Sequence, residues 1–253
     1  MAISKAGRIA TAVAAAALIG VAASACGPDD NNAGGSGSVK ESSSKSASSA
    51  PEAKAPPAGN QLAKVPASVK GGVVTVGDPK AKHTVKVYED PRCPFCKKFE
   101  EGGAQALVKP VTDGNVKIEY TLASFLDKNL GGSGSVNAVN ALRASVEVGK
   151  FAEFHAGVFA NQPEAETEDA YTPAFLLKIA DKVEGLRGAA FDKAVTNGTY
   201  KKWVETAMKS FSDDGIQGTP TVLIDGKKVP GDGSAIYDKA EFAKVLKDAG
   251  ISY

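Results

Sequence analysis

The chain has 253 residues, enough for one sizeable core with appendages, and its 43% hydrophobic content is ordinary for a globular domain. Its 30 basic and 29 acidic side chains leave a formal charge of +1. That balance excludes a bulk-charge case for nucleic acid as the main partner, and nothing in the composition is fibrous or collagen-like.

Lys5 and Arg8 precede an uncharged run from Ile9 to Ala23 that closes on the small residues Ala23-Ser24-Ala25. This pattern predicts an export signal over residues 1–25. The run is too short and alanine-rich for a permanent span, which takes about 20 strongly apolar residues. Ala23-Ser24-Ala25-Cys26 resembles the bacterial lipoprotein signal, with Ala23 where Leu or Val is usual. Cys26 is therefore expected to carry a lipid that anchors the chain to the membrane. Plain cleavage after Ala25 is the alternative, and would leave a secreted protein with one spare thiol, a liability in an oxidising compartment.

Residues 26–66 are dominated by Gly, Ser, Ala, Asn, Lys and Pro, as in Gly34-Gly35-Ser36-Gly37-Ser38. Such a segment buries too little apolar surface to offset its ordering entropy, which predicts a disordered tether with a reach of roughly 35 Å. The folded part is expected over 67–253. Strands are expected at Gly72–Gly77, Thr84–Glu89 and Val116–Leu122, with a helix from Pro94 to Val108 weakened at Gly102-Gly103. Its 3.6-residue spacing puts Phe95, Phe99, Ala106 and Leu107 on one face. A helical block follows at Val136–Val148, Phe151–Phe159, Pro173–Val183 and Phe191–Phe211, with a break at Asn197-Gly198. Strand pattern returns at Pro220–Asp225, turns through Gly226 into Val229, and a last helix runs from Lys239 to Ala249. Strands on both sides of the helical block predict one α/β domain with an inserted helical subdomain at about 130–212.

The chemistry centres on Cys93-Pro94-Phe95-Cys96, placed where a strand meets a helix. A cysteine at a helix N-terminus meets unpaired N–H groups and the positive end of the macrodipole, which favour the thiolate and lower its pKa from about 8.5 towards about 6. Pro94 suits the first helical turn, where its missing N–H costs nothing. Cys93 at the exposed helix start is the expected nucleophile, and Cys96, one turn in, the shielded resolving thiol. Stabilising the reduced form makes the disulfide a better oxidant. A zinc site is disfavoured because only His83 and His155 could join these thiols, so no metal is expected. An inert bridge closing so small a loop would constrain the unfolded chain little.

Val87-Tyr88-Glu89-Asp90-x-x-Cys93-Pro94-Phe95-Cys96-Lys97-Lys98-Phe99, Gly149-Lys150-Phe151-x-x-Phe154-His155 and Gly218-Thr219-Pro220-Thr221, taken together over about residues 70–250, resemble the DsbA family of thioredoxin-like thiol-disulfide oxidoreductases. The resemblance implies a thioredoxin-like fold, catalysis at Cys93 and Cys96, a cis peptide at Thr219-Pro220 beside the dithiol, and strand-like pairing of a client peptide with Thr219. It further implies exchange of the dithiol's disulfide with exported client proteins, with no other cofactor, most readily as an oxidant served by a membrane redox partner. A reductase or isomerase, and a redox-inactive peptide-binding lipoprotein, are the alternatives. Phe95 replaces the histidine of the strongest oxidants, and Val87 stands where many thioredoxins carry a buried acid. Glu89 and Asp90 are the candidates for proton transfer in its stead, and equally for turn or surface carboxylates. His83 and His155 are expected to be bystanders, and Trp203 with the phenylalanines at 151, 154, 159 and 211 to be core of the insertion.

Overall fold

The computed structural model of the chain describes residues 52–231 and 233–252; the export signal, Cys26 and most of the expected tether lie outside them. Six strands, β1 (Ala67–Lys70), β2 (Val73–Val76), β3 (His83–Glu89), β4 (Val116–Leu122), β5 (Thr221–Ile224) and β6 (Lys227–Lys228), form one mixed sheet in the order 1-2-4-3-5-6. β3 and β4 run parallel, with His83 opposite Val116 and Glu89 opposite Leu122, while β5 pairs antiparallel with the other side of β3. β3 is thus central, and Val85 and Val87 on it are fully buried with Val116 and Ile118 on β4. The carboxyl end of such a strand is where open α/β sheets place their ligands.

The helix expected from Pro94 to Val108 is three pieces: α1 (Pro94–Glu101), a 3-10 turn at Gly103–Ala106, and α2 (Val108–Thr112). The break falls at the glycine pair for a steric reason. A Cβ on Gly103 would lie 1.9 Å from the Ile236 carbonyl oxygen, and one on Gly102 2.3 Å from that of Tyr237. The backbone of the 3-10 turn Ser234–Tyr237 therefore crosses directly against α1.

Between β4 and β5 the chain forms α3 (Leu126–Leu130), α4 (Gly134–Glu147), α5 (Phe151–Ala160), α6 (Pro173–Ala180), α7 (Ala189–Asn197) and α8 (Lys201–Asp213), and α9 (Lys239–Asp248) closes the chain. This is the expected α/β fold with a helical insertion, the insertion starting at α3. The stretch from Phe191 to Phe211 divides at Gly198, which caps α7 in the left-handed conformation. β1 and α3 were not foreseen, since each is too short to show a period. Phe151, Phe154 and Phe159 are buried core, whereas Trp203 is partly buried and donates its ring N–H to the Gly71 carbonyl at 2.7 Å.

The expected boundary at residue 66 falls inside a packed segment. Ala53 is buried, Lys54 exchanges two backbone hydrogen bonds with the Asn161 amide at 2.7 and 2.9 Å, and Asn60 donates to the Ala152 carbonyl at 3.0 Å. A few anchoring residues satisfy that backbone, and the surrounding low-complexity composition hides them. No helix among the described residues is long and apolar enough to cross a membrane.

Because the Cβ of Gly103→Ala would collide with backbone, that variant is expected to lose about 1–3 kcal/mol in urea unfolding. Gly188→Ala, whose Cβ meets nothing within 4 Å, should stay within about 0.5 kcal/mol of the wild type.

Candidate active site

β3 ends in two acidic residues that fold into the protein, and both are fully buried. Neither is a surface carboxylate, and Asp90 opens the turn into the dithiol, its carbonyl accepting from the Cys93 amide at 2.9 Å. Asp90 accepts hydrogen bonds from the Arg92 amide at 3.0 Å, the Leu126 amide at 3.2 Å and the Ser135 hydroxyl at 2.6 Å. Burial nevertheless outweighs these bonds and raises its carboxyl to about 7.

Arg92 follows, a fully buried guanidinium. It donates to Asp127 at 2.9 Å and to the carbonyls of Gly131 and Glu166 at 2.7 and 3.1 Å. The Gln162 amide, just past α5, donates to the carbonyls of Pro91 and Cys93 at 2.7 and 3.0 Å. The dithiol loop is thus held by the helical insertion on two sides.

Cys93 is the N-cap of α1, with φ −71° and ψ 118°, and Pro94 opens the helix. Both cysteines are free thiols, packed with Leu126 and Phe159. Cys93 is only 5% exposed, less than a bare helix start would leave it, and Cys96 is fully buried. The exposed edge of the site is Phe95, 58% exposed and 6.1 Å from the Tyr237 ring. Phe95 therefore leaves the core-facing side that its helical spacing assigned to it, and Cys96 takes the buried position in the first turn of α1.

The two thiols have opposite electrostatics. Cys93 is pulled down to about 6, first by hydrogen bonding with the Cys96 thiol, then by the Thr219 side chain and the backbone amides of Cys96 and Phe95, against the effect of burial. Cys96 is pushed well up, first by burial and then by the hydrogen bond and charge of Cys93 and the charge of Glu89. The Thr219-Pro220 peptide is cis, and the Thr219 carbonyl accepts from the Cys93 thiol at 3.4 Å. That contact belongs to the protonated form and is given up when the thiolate forms.

Beneath the dithiol lies a second cluster. Glu89 Oε1 is 2.5 Å from His155 Nε2, and the ring's other nitrogen, Nδ1, is 3.8 Å from Glu100 Oε2. One donor atom from each residue lies within 4.8 Å of the others. A metal ion between Glu89 and His155 would hold two ligands at about 2.0–2.2 Å each. Their 2.5 Å separation leaves no room for one and marks a hydrogen bond. Burial raises the carboxyls of both Glu89 and Glu100, the latter to about 8, so Glu100 keeps its proton at neutral pH. Burial lowers His155, which keeps its ring neutral, against the opposing charge of Glu100.

His155 is buried and satisfied, bonded directly to Glu89. His83 does stand apart, paired with Asp225 at 2.8 Å at the opposite end of β3. Glu100, Arg92, Ser135 and Gln162 were missed from sequence. Two of the clustered groups carried a signal: Glu100 is four residues after Cys96, on the same helix face, and His155 is spaced at four from both Phe151 and Phe159.

Comparison with known proteins places this geometry. The Thioredoxin family model matches residues 69–248. No curated protein sequence matches the chain. Among solved structures, BdbD from Bacillus subtilis, in its oxidised form, is 28% identical, covering 72% of this chain and 99% of its own, with a TM-score of 0.56. The reduced disulfide bond oxidoreductase DsbG from Mycobacterium tuberculosis is 26% identical over 72% of this chain and 89% of its own, with a TM-score of 0.57. Reduced DsbA from Mycobacterium tuberculosis is 25% identical over 71% and 93%, with a TM-score of 0.56. The chain belongs to the thioredoxin family, and its sheet, helical insertion and cis-proline-flanked dithiol are those of a DsbA-type member.

Proposed function

We propose that the chain is an exported thiol-disulfide oxidoreductase that passes a Cys93–Cys96 disulfide to the thiols of client proteins. The observation that carries this reading is the asymmetry of the dithiol: one thiol at about 6 beside a cis-proline, the other fully buried and pushed up. Structural likeness to a protein described as a disulfide bond oxidoreductase, 26% identical, supports the reaction class.

A client thiolate attacks Cys93 Sγ, the Cys93–Cys96 bond breaks, and its electron pair leaves on Cys96, which takes up a proton. A second client thiolate then displaces Cys93, which departs readily because its thiolate is stable. The client gains a disulfide and the dithiol is left reduced, to be reoxidised by a membrane redox partner that accepts the two electrons. Thr219 offers backbone pairing to an extended client segment, Phe95 gives that segment an apolar edge, Pro94 and Pro220 fix the backbone on either side of Cys93, and Glu89 exchanges the proton of Cys96. Asp90 braces the loop. Lipid on Cys26 would hold the domain at the outer face of the cell membrane.

The purified domain should accelerate oxidative refolding of a reduced client. Cys93→Ser should fall to the uncatalysed rate, and Cys96→Ala should accumulate mixed disulfides on non-reducing gels; equal rates for wild type and Cys93→Ser would refute the reading.

Alkylation of Cys93 in the reduced protein should rise through a midpoint near pH 6, where an ordinary thiol rises near 8.5. The folded thiolate also ties stability to pH. The stabilisation of reduced over oxidised protein is fully present above about 8.5, the value in the unfolded chain, and is lost as pH falls through about 6. Thermal unfolding of the two redox forms across that window reads it directly. Mass spectrometry of the mature chain should find residue 26 as a lipid-modified N-terminal cysteine, and an unmodified residue 26 would exclude the anchor.

A further inference from the structure

Resting on the oxidoreductase reading, we propose that His155 and Glu100 form a proton path joining the buried Glu89 carboxyl to a pocket on the protein surface, so that Cys96 gains and loses its proton without using the opening at which clients react.

The need for such a path follows from burial. Cys96 is fully buried, yet it takes up a proton whenever the disulfide is reduced and gives one up whenever it reforms. While a client is bonded to Cys93, the front of the site is covered. Glu89, at the end of the strand that leads into the dithiol loop, is itself fully buried and cannot trade protons with water directly.

The route onward is laid out by geometry. Glu89 Oε1 meets His155 Nε2 at 2.5 Å, and His155 Nδ1 faces Glu100 Oε2 at 3.8 Å. Glu89 Oε2 and Glu100 Oε1 are buried, and the two carboxyls hydrogen-bond to each other. His155 and Glu100 both line a pocket whose outer wall is Pro57 to Leu62 and whose rim includes Lys239, while Cys93, Phe95, Thr219 and Pro220 are not among its lining. Asn60 pins that wall to α5 through the Ala152 carbonyl.

The chemistry balances with no further reactant. When the disulfide opens, protonated Glu89 gives its proton to the Cys96 thiolate. Glu89 is recharged from His155 Nε2–H as Nδ1 takes a proton from Glu100, which refills from pocket water. When the disulfide reforms, each transfer reverses. The groups facing His155 are Glu89 from β3, Glu100 from α1 and the Tyr120 ring from β4 at 4.8 Å, with Phe151 and Phe159 of its own helix. Tyr120 stays protonated in this burial, so the carboxyls are the charges that matter.

The test mixes the reduced full chain with oxidised glutathione, quenches in acid and counts the glutathione mixed disulfide by mass. Its formation reads attack by Cys93, and its decay reads deprotonation and attack by Cys96. His155→Phe, which keeps an aromatic ring among Phe151, Phe159 and Tyr120, and the near-isosteric Glu100→Gln should form the intermediate at the wild-type rate and clear it roughly 10- to 100-fold more slowly near pH 7. Their decay should rise with pH where the wild type levels off. Added imidazole, entering through the pocket, should restore decay in His155→Ala. Decay within about twofold of wild type in both His155→Phe and Glu100→Gln, or slowing without imidazole rescue, would overturn the path and leave the oxidoreductase intact. A wild-type chain that forms no mixed disulfide would overturn both.

Discussion

Two consecutive carboxyl groups taken out of water at the end of β3 set the terms for the rest of this fold. Glu89 and Asp90 are fully buried, and a buried carboxyl is tolerated only when it is hydrogen-bonded or keeps its proton. Asp90 takes the first course, with the Ser135 hydroxyl and the Leu126 amide supplied by the insertion. Glu89 takes both, with His155 of α5 as its partner. The helical insertion is therefore more than a cap on a thioredoxin sheet, since its side chains make an acidic strand end compatible with a dry interior.

The same buried layer distinguishes the two cysteines. Thiol and thiolate differ by one charge, and three elements decide where that charge is tolerated. The amides at the start of α1 and the Cys96 thiol stabilise it on Cys93, while burial and then the hydrogen bond and charge of Cys93 disfavour it on Cys96. A side chain between the two sulfurs is not needed for this difference, which is why Phe95 can be given over to an exposed apolar edge.

The sheet, the insertion and the dithiol at a helix start were legible in the sequence because period and punctuation are local signals. Val85 and Val87 alternate with Lys86, Gly198 ends one helix and starts another, and Pro94 marks a first turn. Glu89 and Asp90 were legible as candidates for proton transfer, but their partners in the buried layer were not. A lone glutamate and a lone histidine 66 positions apart carry no common motif, and only the packing of α5 over the end of β3 brings them together. Gly102-Gly103 is intermediate: the break in the helix could be read, but its cause, the backbone at Ile236 and Tyr237 passing close by, lies far along the chain. The segment 52–66 misled for a related reason, since its composition is that of a tether and its few contacts are with residues some hundred positions on.

Those contacts have a mechanical side. Lys54 is fastened to Asn161 by two hydrogen bonds, and the next residue, Gln162, grips the carbonyls of Pro91 and Cys93. The seam that ties the domain to its upstream chain and the clasp that holds the reactive loop are thus neighbours on one stretch of backbone, and a load applied through the leading segment bears first on the residue beside the clasp.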